Sequence, residues 1–336
     1  MRKIMNEVEK FVDETTEGIA LAYKGKVKLL NGDTRILLSD YGVKENKVGI
    51  VTAGGSGHLP VFLGYVGDGM LDGCAIGNVF ASPSAQKMAD MIRACDHGSG
   101  VLCLYGNYGG DILNFDMACE MVDFDDDIKT ATVRVADDVA SGPKGSEDKR
   151  RGVAGMIFAF KIAGAAAANM MSLEEVTAVT EKALANIRTM GVALSSCIVP
   201  EVGVPTFSIA DDEIEIGMGI HGEPGIEIKK MMTADEIAIE LVGRILEDMP
   251  IEAGSEVAVL VNGLGGTPLE EQFIVYRKVH MLLEEKGISI VMPHIGEYAT
   301  SMEMAGLSVT IFKLDDELKA LMRQDAKTPF YTNYNK

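Results

Sequence analysis

Tryptophan is absent from the 336 residues, aromatic residues make up only 6%, and none of the five cysteines stands in a CxxC pair. The cysteines, at 74, 95, 103, 119 and 197, are odd in number and sit mostly in apolar runs. They read as reduced core residues, and structural zinc is not expected. Positive charge is also scarce: 31 Lys and Arg against 50 Asp and Glu give a formal net charge of -19. That balance argues against a nucleic-acid or anionic-membrane face, though not against a local pocket for an anionic substrate. No N-terminal segment has the basic, apolar and small-residue order of a signal peptide, so a cytoplasmic protein is expected. Neither G-x-G-x-x-G nor a P-loop occurs, and there is no internal repeat or low-complexity tract. Histidines and carboxylates at metal-ligand spacing are missing too, so no metal is expected. The longest apolar stretch, Gly152 to Met171, carries Lys161 at its middle, which is costly in lipid. It is expected to be a buried helix packed closely through Ala and Gly.

What the chain has in quantity is glycine, 37 residues of it, and the densest run is Gly217 to Gly225, GMGIHGEPG. Glycines at 217, 219, 222 and 225 and Pro224 rule out a helix and make a poor strand interior. The run reads as a tight loop presenting His221, either as a working imidazole or merely as a turn residue. A second glycine turn, Ala53 to Pro60, follows the strand-like run Lys47 to Thr52 and holds His58. A third, Gly106 to Asp111, follows the run Val101 to Tyr105; Asp111 there is a pocket carboxylate or a helix N-cap. Thr130 to Ala136 is a further strand. Strands that exit into Gly, His or Asp imply a crevice at the carboxyl edge of a parallel sheet. His97, His280 and His294 lack such framing and are set aside.

The length suits two domains. Helices are expected over 1–24, from Ser82-Pro83 to Gly98, over 152–171, and from the capping box Ser172 to Glu175 as far as Gly191. The second half shows strands at 193–199, 208–217, 256–261, 288–292 and 307–313. A second capping box at Thr233 opens a helix to about Glu247, and another helix starts at Thr267-Pro268. The glycine turn Asn262 to Gly266 reads as packing rather than an anion site. The tail from Gln324 reads as loose. These elements give an α/β protein: residues 1–188 a three-layer parallel-sheet domain with the loops 53–60 and 106–111, residues 189–336 a smaller mixed-sheet α/β domain carrying the His221 loop.

The segments GGSGHLP (54–60), GYVGDGML (64–71), FASPSA (80–85), NYGGDILNF (107–115), RVADDVA (134–140), RRGVAG (150–155), GMGIHGEPG (217–225) and NGLGGTP (262–268), in this order, resemble the substrate-binding K subunits of dihydroxyacetone kinases, the DhaK family. The resemblance covers nearly the whole chain. It implies a homodimer in which His221 adds to the ketone carbon of a short ketose as a hemiaminal. His58 would hydrogen-bond that ketose, Gly54, Gly55 and Ser56 would line its pocket, and Asp111 would be the base for its terminal hydroxyl. The phosphoryl donor would come from ATP or ADP with magnesium on a separate DhaL-type subunit, in one branch regenerated by a phosphotransferase-system protein. Three positions depart from the pattern: Leu59 where glutamate is frequent, Gly106 where lysine is frequent and Gly109 where threonine is common. The loss of the lysine opens space suited to a larger ketose such as a tetrulose. Some relatives keep the histidine but act as sensors that co-activate transcription; retention of Asp111 favours the kinase subunit.

Overall fold

Apolar runs buried on both faces build the first sheet of the computed structural model, which describes residues 3–42 and 44–334. Its strands are β1 (Val27–Leu30), β2 (Asp33–Ser39), β3 (Gly49–Ser56), β4 (Gly73–Val79), β5 (Val101–Gly106) and β6 (Thr130–Val135), in the order β1-β2-β4-β3-β5-β6. β4, β3, β5 and β6 run parallel, and β2 is antiparallel to both β1 and β4. The helices of this unit are α1 (Phe11–Ala22), α2 (Ala85–Cys95), α3 (Gly109–Asp126), α4 (Met156–Ala168) and α5 (Leu173–Ala185). Val51, Val101, Cys103 and Tyr105 point into one cluster with Met88 and Ile92 of α2 and Phe115 and Val122 of α3. The alternate residues Ile50, Leu102 and Leu104 are fully buried as well, and α4 packs on β3 and β5. Side chains alternate between the faces of a strand, so the parallel core is covered on both sides.

The small residues of α4 have a packing reason: a Cβ on Gly164 would collide with the main chain of Gly69 and Met70. Lys161 is buried in the same helix, and its Nζ donates to the Leu321 carbonyl at 2.8 Å. Burial pulls its pKa down to about 8 against the opposing charge of Asp325. No helix among the described residues is long and apolar enough to cross a membrane.

In the second unit the strands are β7 (Ile187–Ala193), β8 (Glu213–Ile216), β9 (Glu227–Lys230), β10 (Glu256–Gly263), β11 (Ser289–Glu297) and β12 (Gly306–Leu314). They form a mixed sheet in the order β11-β10-β12-β7-β8-β9, parallel only between β10 and β11. Its helices are α6 (Ala234–Asp248) and α7 (Leu269–Glu285). Leu241 and Ile245 of α6 and Val279 and Leu283 of α7 bury against Val192, Ile214, Ile216, Val259 and Val261. The two units are not consecutive stretches. The first holds the described residues up to Val135, Met156–Ala183 and the chain from Glu317 on; the second holds Ala136–Gly155 and Leu184–Asp316. The chain therefore passes between them four times.

Both capping boxes form: Ser172 with Glu175, and Thr233 with Glu236. Several expectations are corrected. Ser84, not Ser82, caps α2. The helix from Ser172 stops at Ala185, because 187–193 pairs with β12 and β8 as β7; the strand expected at 193–199 does not form. The expected strand 208–217 shortens to 213–216 and pairs with β9. The tail is tied down rather than loose. After α8 (Asp316–Arg323), β13 (Ala326–Lys327) pairs with β14 (Thr332–Asn333), and Thr328 Oγ1 donates to the Gly64 carbonyl at 2.8 Å.

Candidate functional site

At the carboxyl edge of the first sheet, β3 runs out into Gly54, Gly55 and Ser56. A Cβ on Gly54 would press into the Phe62 ring, and one on Gly55 would come within 2.9 Å of the Phe80 main chain. These glycines let two phenylalanines close over His58. The His58 ring stacks on Phe80 at 4.8 Å and 16°, and meets Phe62 edge-on at 6.1 Å and 77°. Contacts of this kind are worth about 0.5–1.5 kcal/mol each beyond area burial. Phe62 and Phe80 both hold left-handed backbone, at φ 73° and 60°. Such residues cost on the order of 1–3 kcal/mol each and persist only where their surroundings fix them. The result is an imidazole almost wholly enclosed, with 1% of its surface exposed.

The second loop exit carries Asp111. The cap of α3 is Tyr108, so Asp111 lies inside the first turn and is buried there. It is not an N-cap. Gly110 lies against Ser82, whose Oγ would stand 2.7 Å from any Cβ at that position, and Asn114 Nδ2 donates to the Pro83 carbonyl at 2.7 Å. The Phe80 amide in turn donates to the Ser56 carbonyl at 3.0 Å. Segment 80–84 thus joins the His58 loop to the Asp111 loop within this unit. Gly106 closes β5 beside Tyr108, whose ring is 3.0 Å from where a Cβ would sit.

In the other unit, β8 feeds the His221 loop as expected. Gly217 adopts φ 79°, and a Cβ there would strike Ala140. His221 Nδ1 lies 2.9 Å from Glu223 Oε1, and the His221 amide donates to Glu223 Oε2 at 2.9 Å. A Cβ on Gly219 would occupy the place of Glu223 Oε2. Burial pushes the Glu223 carboxyl up, but the hydrogen bond and charge of His221 outweigh it and hold the pKa at about 2. An ionised carboxylate only accepts hydrogen bonds, so whenever the ring is neutral it favours the tautomer with the proton on Nδ1.

The loop is braced from behind by the RVADDVA and RRGVAG segments. Arg151 Nη2 donates to the Gly217 carbonyl at 2.9 Å and its Nε to Asp138 Oδ2 at 2.8 Å, with Nη1 4.0 Å from Glu223. Burial raises the Asp138 carboxyl to about 6, opposed by the Arg151 charge and helped by that of Asp137. Asp137 is fully enclosed and accepts from the Val153 amide at 2.7 Å, the Gly155 amide at 2.8 Å and the Thr189 hydroxyl.

Glu223, Arg151, Phe62 and Phe80 were not singled out from sequence. The one available signal was local: a glutamate two residues after a glycine-flanked histidine can fold back onto it. Nothing local marks two phenylalanines 18 residues apart as partners of one ring. Of the histidines set aside, His280 is 3.8 Å from Glu284 within α7, and His294 on β11 is pushed down to about 4 by burial. No cluster of three or more His, Cys, Asp or Glu among the described residues could hold a metal.

The Dak1 domain profile matches residues 17–330. The chain is 45% identical over 331 residues to the dihydroxyacetone-binding subunit DhaK of PTS-dependent dihydroxyacetone kinase 2 from Listeria innocua, covering 98% of this chain and 99% of that one. It is 42% identical to the L-erythrulose kinase of Pectobacterium atrosepticum over 98% of this chain but 56% of that protein. Among solved structures it superposes on the dihydroxyacetone kinase operon co-activator Dha-DhaQ with a TM-score of 0.90, at 31% identity and covering 98% and 100% of the two chains.

Proposed function

This chain belongs to the Dak1 domain family, and we propose from that premise that it is the ketose-binding subunit of a dihydroxyacetone-type kinase. The observation that carries the reading is the pairing of His221 Nδ1 with Glu223, which aims a nucleophilic Nε2 lone pair away from the carboxylate. Nε2 adds to the ketone carbon of a short ketose: the C–N bond forms, the carbonyl π bond breaks, and the oxygen takes a proton from water. The ring becomes cationic as it does so, and ionised Glu223 stabilises that charge, as a carboxylate does behind a catalytic imidazole. A glycerol backbone lacks the carbonyl and forms no such bond.

His58 donates a hydrogen bond to the bound ketose, and Gly54, Gly55 and Ser56 shape its pocket. Asp111 is the base that takes the terminal hydroxyl proton as the oxygen attacks a phosphoryl group. We assign the phosphoryl donor, ATP or ADP with magnesium, to a separate DhaL-type subunit. The name of the Listeria innocua relative points to a phosphotransferase-system protein as its source. The protein works as a cytoplasmic homodimer in this reading. Gly106 is crowded by the Tyr108 ring and Met156 rather than open, so the case for a four-carbon ketose beside dihydroxyacetone rests on the missing lysine charge, the apolar Leu59 and the erythrulose kinase relative. The co-activator likeness supports ketose binding without phosphorylation as a second reading, at lower identity than the kinase subunit.

The test is 13C NMR with ketoses labelled at the carbonyl carbon. Binding as a hemiaminal converts the ketone resonance into that of a tetrahedral carbon, and His221→Ala abolishes the change. A ketone resonance that persists in a saturated complex rejects the covalent reading.

A further inference from the structure

Cys103 and Cys119 flank the Asp111 loop, one on β5 before it and the other on α3 after it. Their sulfurs are 3.8 Å apart. Cys103 is buried in the α2–α3 face of the sheet, whereas Cys119 is only partly buried. Thr132 stands opposite Cys103 on β6, and Thr130 and Thr132 both act to lower the Cys119 thiol. The thiols of Cys74 and Cys95 are raised mainly by burial.

We propose that Cys103 and Cys119 are an oxidisable pair that forms a reversible disulfide with hydrogen peroxide, cross-linking β5 to α3 around the Asp111 loop. Cys119 is the attacking sulfur. A hydrogen bond from Cys103 draws its thiol down to about 7, against burial and with help from Thr130 and Thr132, while the same contact and burial raise Cys103. The Cys119 thiolate attacks one peroxide oxygen; the S–O bond forms, the O–O bond breaks, and hydroxide leaves and is protonated to water. Cys103 then attacks the sulfenic sulfur, and its proton leaves with the displaced hydroxide as a second water. Two thiols are oxidised and one peroxide is reduced to two waters. The sulfurs must close by about 1.8 Å to reach the ~2.0 Å of a disulfide, which draws α3 toward β5. Asp111 sits in the first turn of that helix. The effect on turnover rests on the role assigned to Asp111 above; the cross-link does not.

Exposing the native protein to hydrogen peroxide, quenching with N-ethylmaleimide in denaturant and weighing it tests the proposal. Two of the five free cysteines are expected to resist labelling, with a mass loss of two hydrogens. Cleavage before Asp111 is expected to leave the Cys103 and Cys119 peptides joined until dithiothreitol separates them. Cys103→Ser is expected to stop at a dimedone-reactive sulfenic acid on Cys119, and Cys119→Ser to show neither product. Phosphoryl transfer by the oxidised protein is expected to fall up to ~100-fold, the scale of a misplaced catalytic group, and to return with dithiothreitol while ketose adduct formation persists. Retention of five maleimides, or a sulfinic acid on Cys119 without a cross-link, overturns the proposal. A cross-link that leaves phosphoryl transfer untouched overturns the coupling to Asp111 alone.

Discussion

The carboxylate of Glu223 holds His221 twice: Oε1 meets the ring at Nδ1 and Oε2 accepts from the main-chain amide, each at 2.9 Å. One side chain therefore sets the tautomer, the ring plane and the path of the backbone that carries it. A loop rich in glycine would otherwise sample many conformations. The grip replaces that freedom with a single presented nitrogen.

Glu223→Gln keeps the shape but substitutes an amide that can donate, so the ring proton is free to move to Nε2. The ketose adduct population is expected to fall at least ~10-fold, by analogy with the tautomer loss when a triad carboxylate becomes an amide. Carbonyl-labelled ketose titrated by NMR gives the number; an unchanged affinity sinks the orienting role.

The same pair has a pH signature. Because the folded Glu223 carboxyl is depressed from 4.5 to about 2, its contribution is present above about pH 4.5 and is lost as pH falls through 2. The wild-type protein is expected to lose loop protection across that window, and Glu223→Gln to show no such step. Hydrogen exchange at the 217–225 amides, read against pH, distinguishes the two.

Gly219→Ala puts a methyl group where the Glu223 oxygen lies. Gly219 has no left-handed backbone requirement, so the cost is steric and local. Adduct formation should drop while the melting temperature hardly moves. A fall in melting temperature with full adduct formation would place the glycine in the scaffold instead.

Asp111→Asn removes the proposed base and leaves the hydrogen-bonding shape. Turnover with the nucleotide-holding subunit is expected to fall by roughly 10²–10⁴-fold, the range for general-base catalysis, while the His221 adduct is retained. Turnover near wild type eliminates Asp111 as the base.

Asp248→Asn tests the scaffold of the second unit. Asp248 accepts from Arg150 at 2.9 and 2.6 Å and from Arg188 at 2.6 Å, with only 6% of its side chain exposed. Removing one partner of a buried ion pair leaves stranded charge and costs about 3–5 kcal/mol. Urea unfolding of variant and wild type measures it. The hydrogen bond from Arg150 holds the Asp248 carboxyl below 3.8 despite burial, so this stabilisation should be lost only in strong acid.

Much of this was legible in the chain. The glycine run around His221, the strand exits into His58 and Asp111, and the capping boxes at Ser172 and Thr233 are local patterns, and local patterns survive without knowledge of contacts. The long-range partners were not legible. The residues 187–193 read as the end of a helix closed by Gly191, yet they become a central strand because β12 lies beside them to take their hydrogen bonds. The tail read as loose because its composition is polar, but the Gly64 carbonyl awaits Thr328 from the far end of the sequence.

The sequence by itself determined an α/β chain in which His58, His221 and Asp111 fall in glycine-rich segments, since backbone freedom and strand exits are properties of neighbouring residues. Tertiary structure alone decided what those side chains are: His58 enclosed by two strained phenylalanines, His221 locked by Glu223 with Arg151 behind it. Those states depend on atoms brought within a few ångströms by packing, where burial and charge act together, and no spacing along the chain encodes that distance.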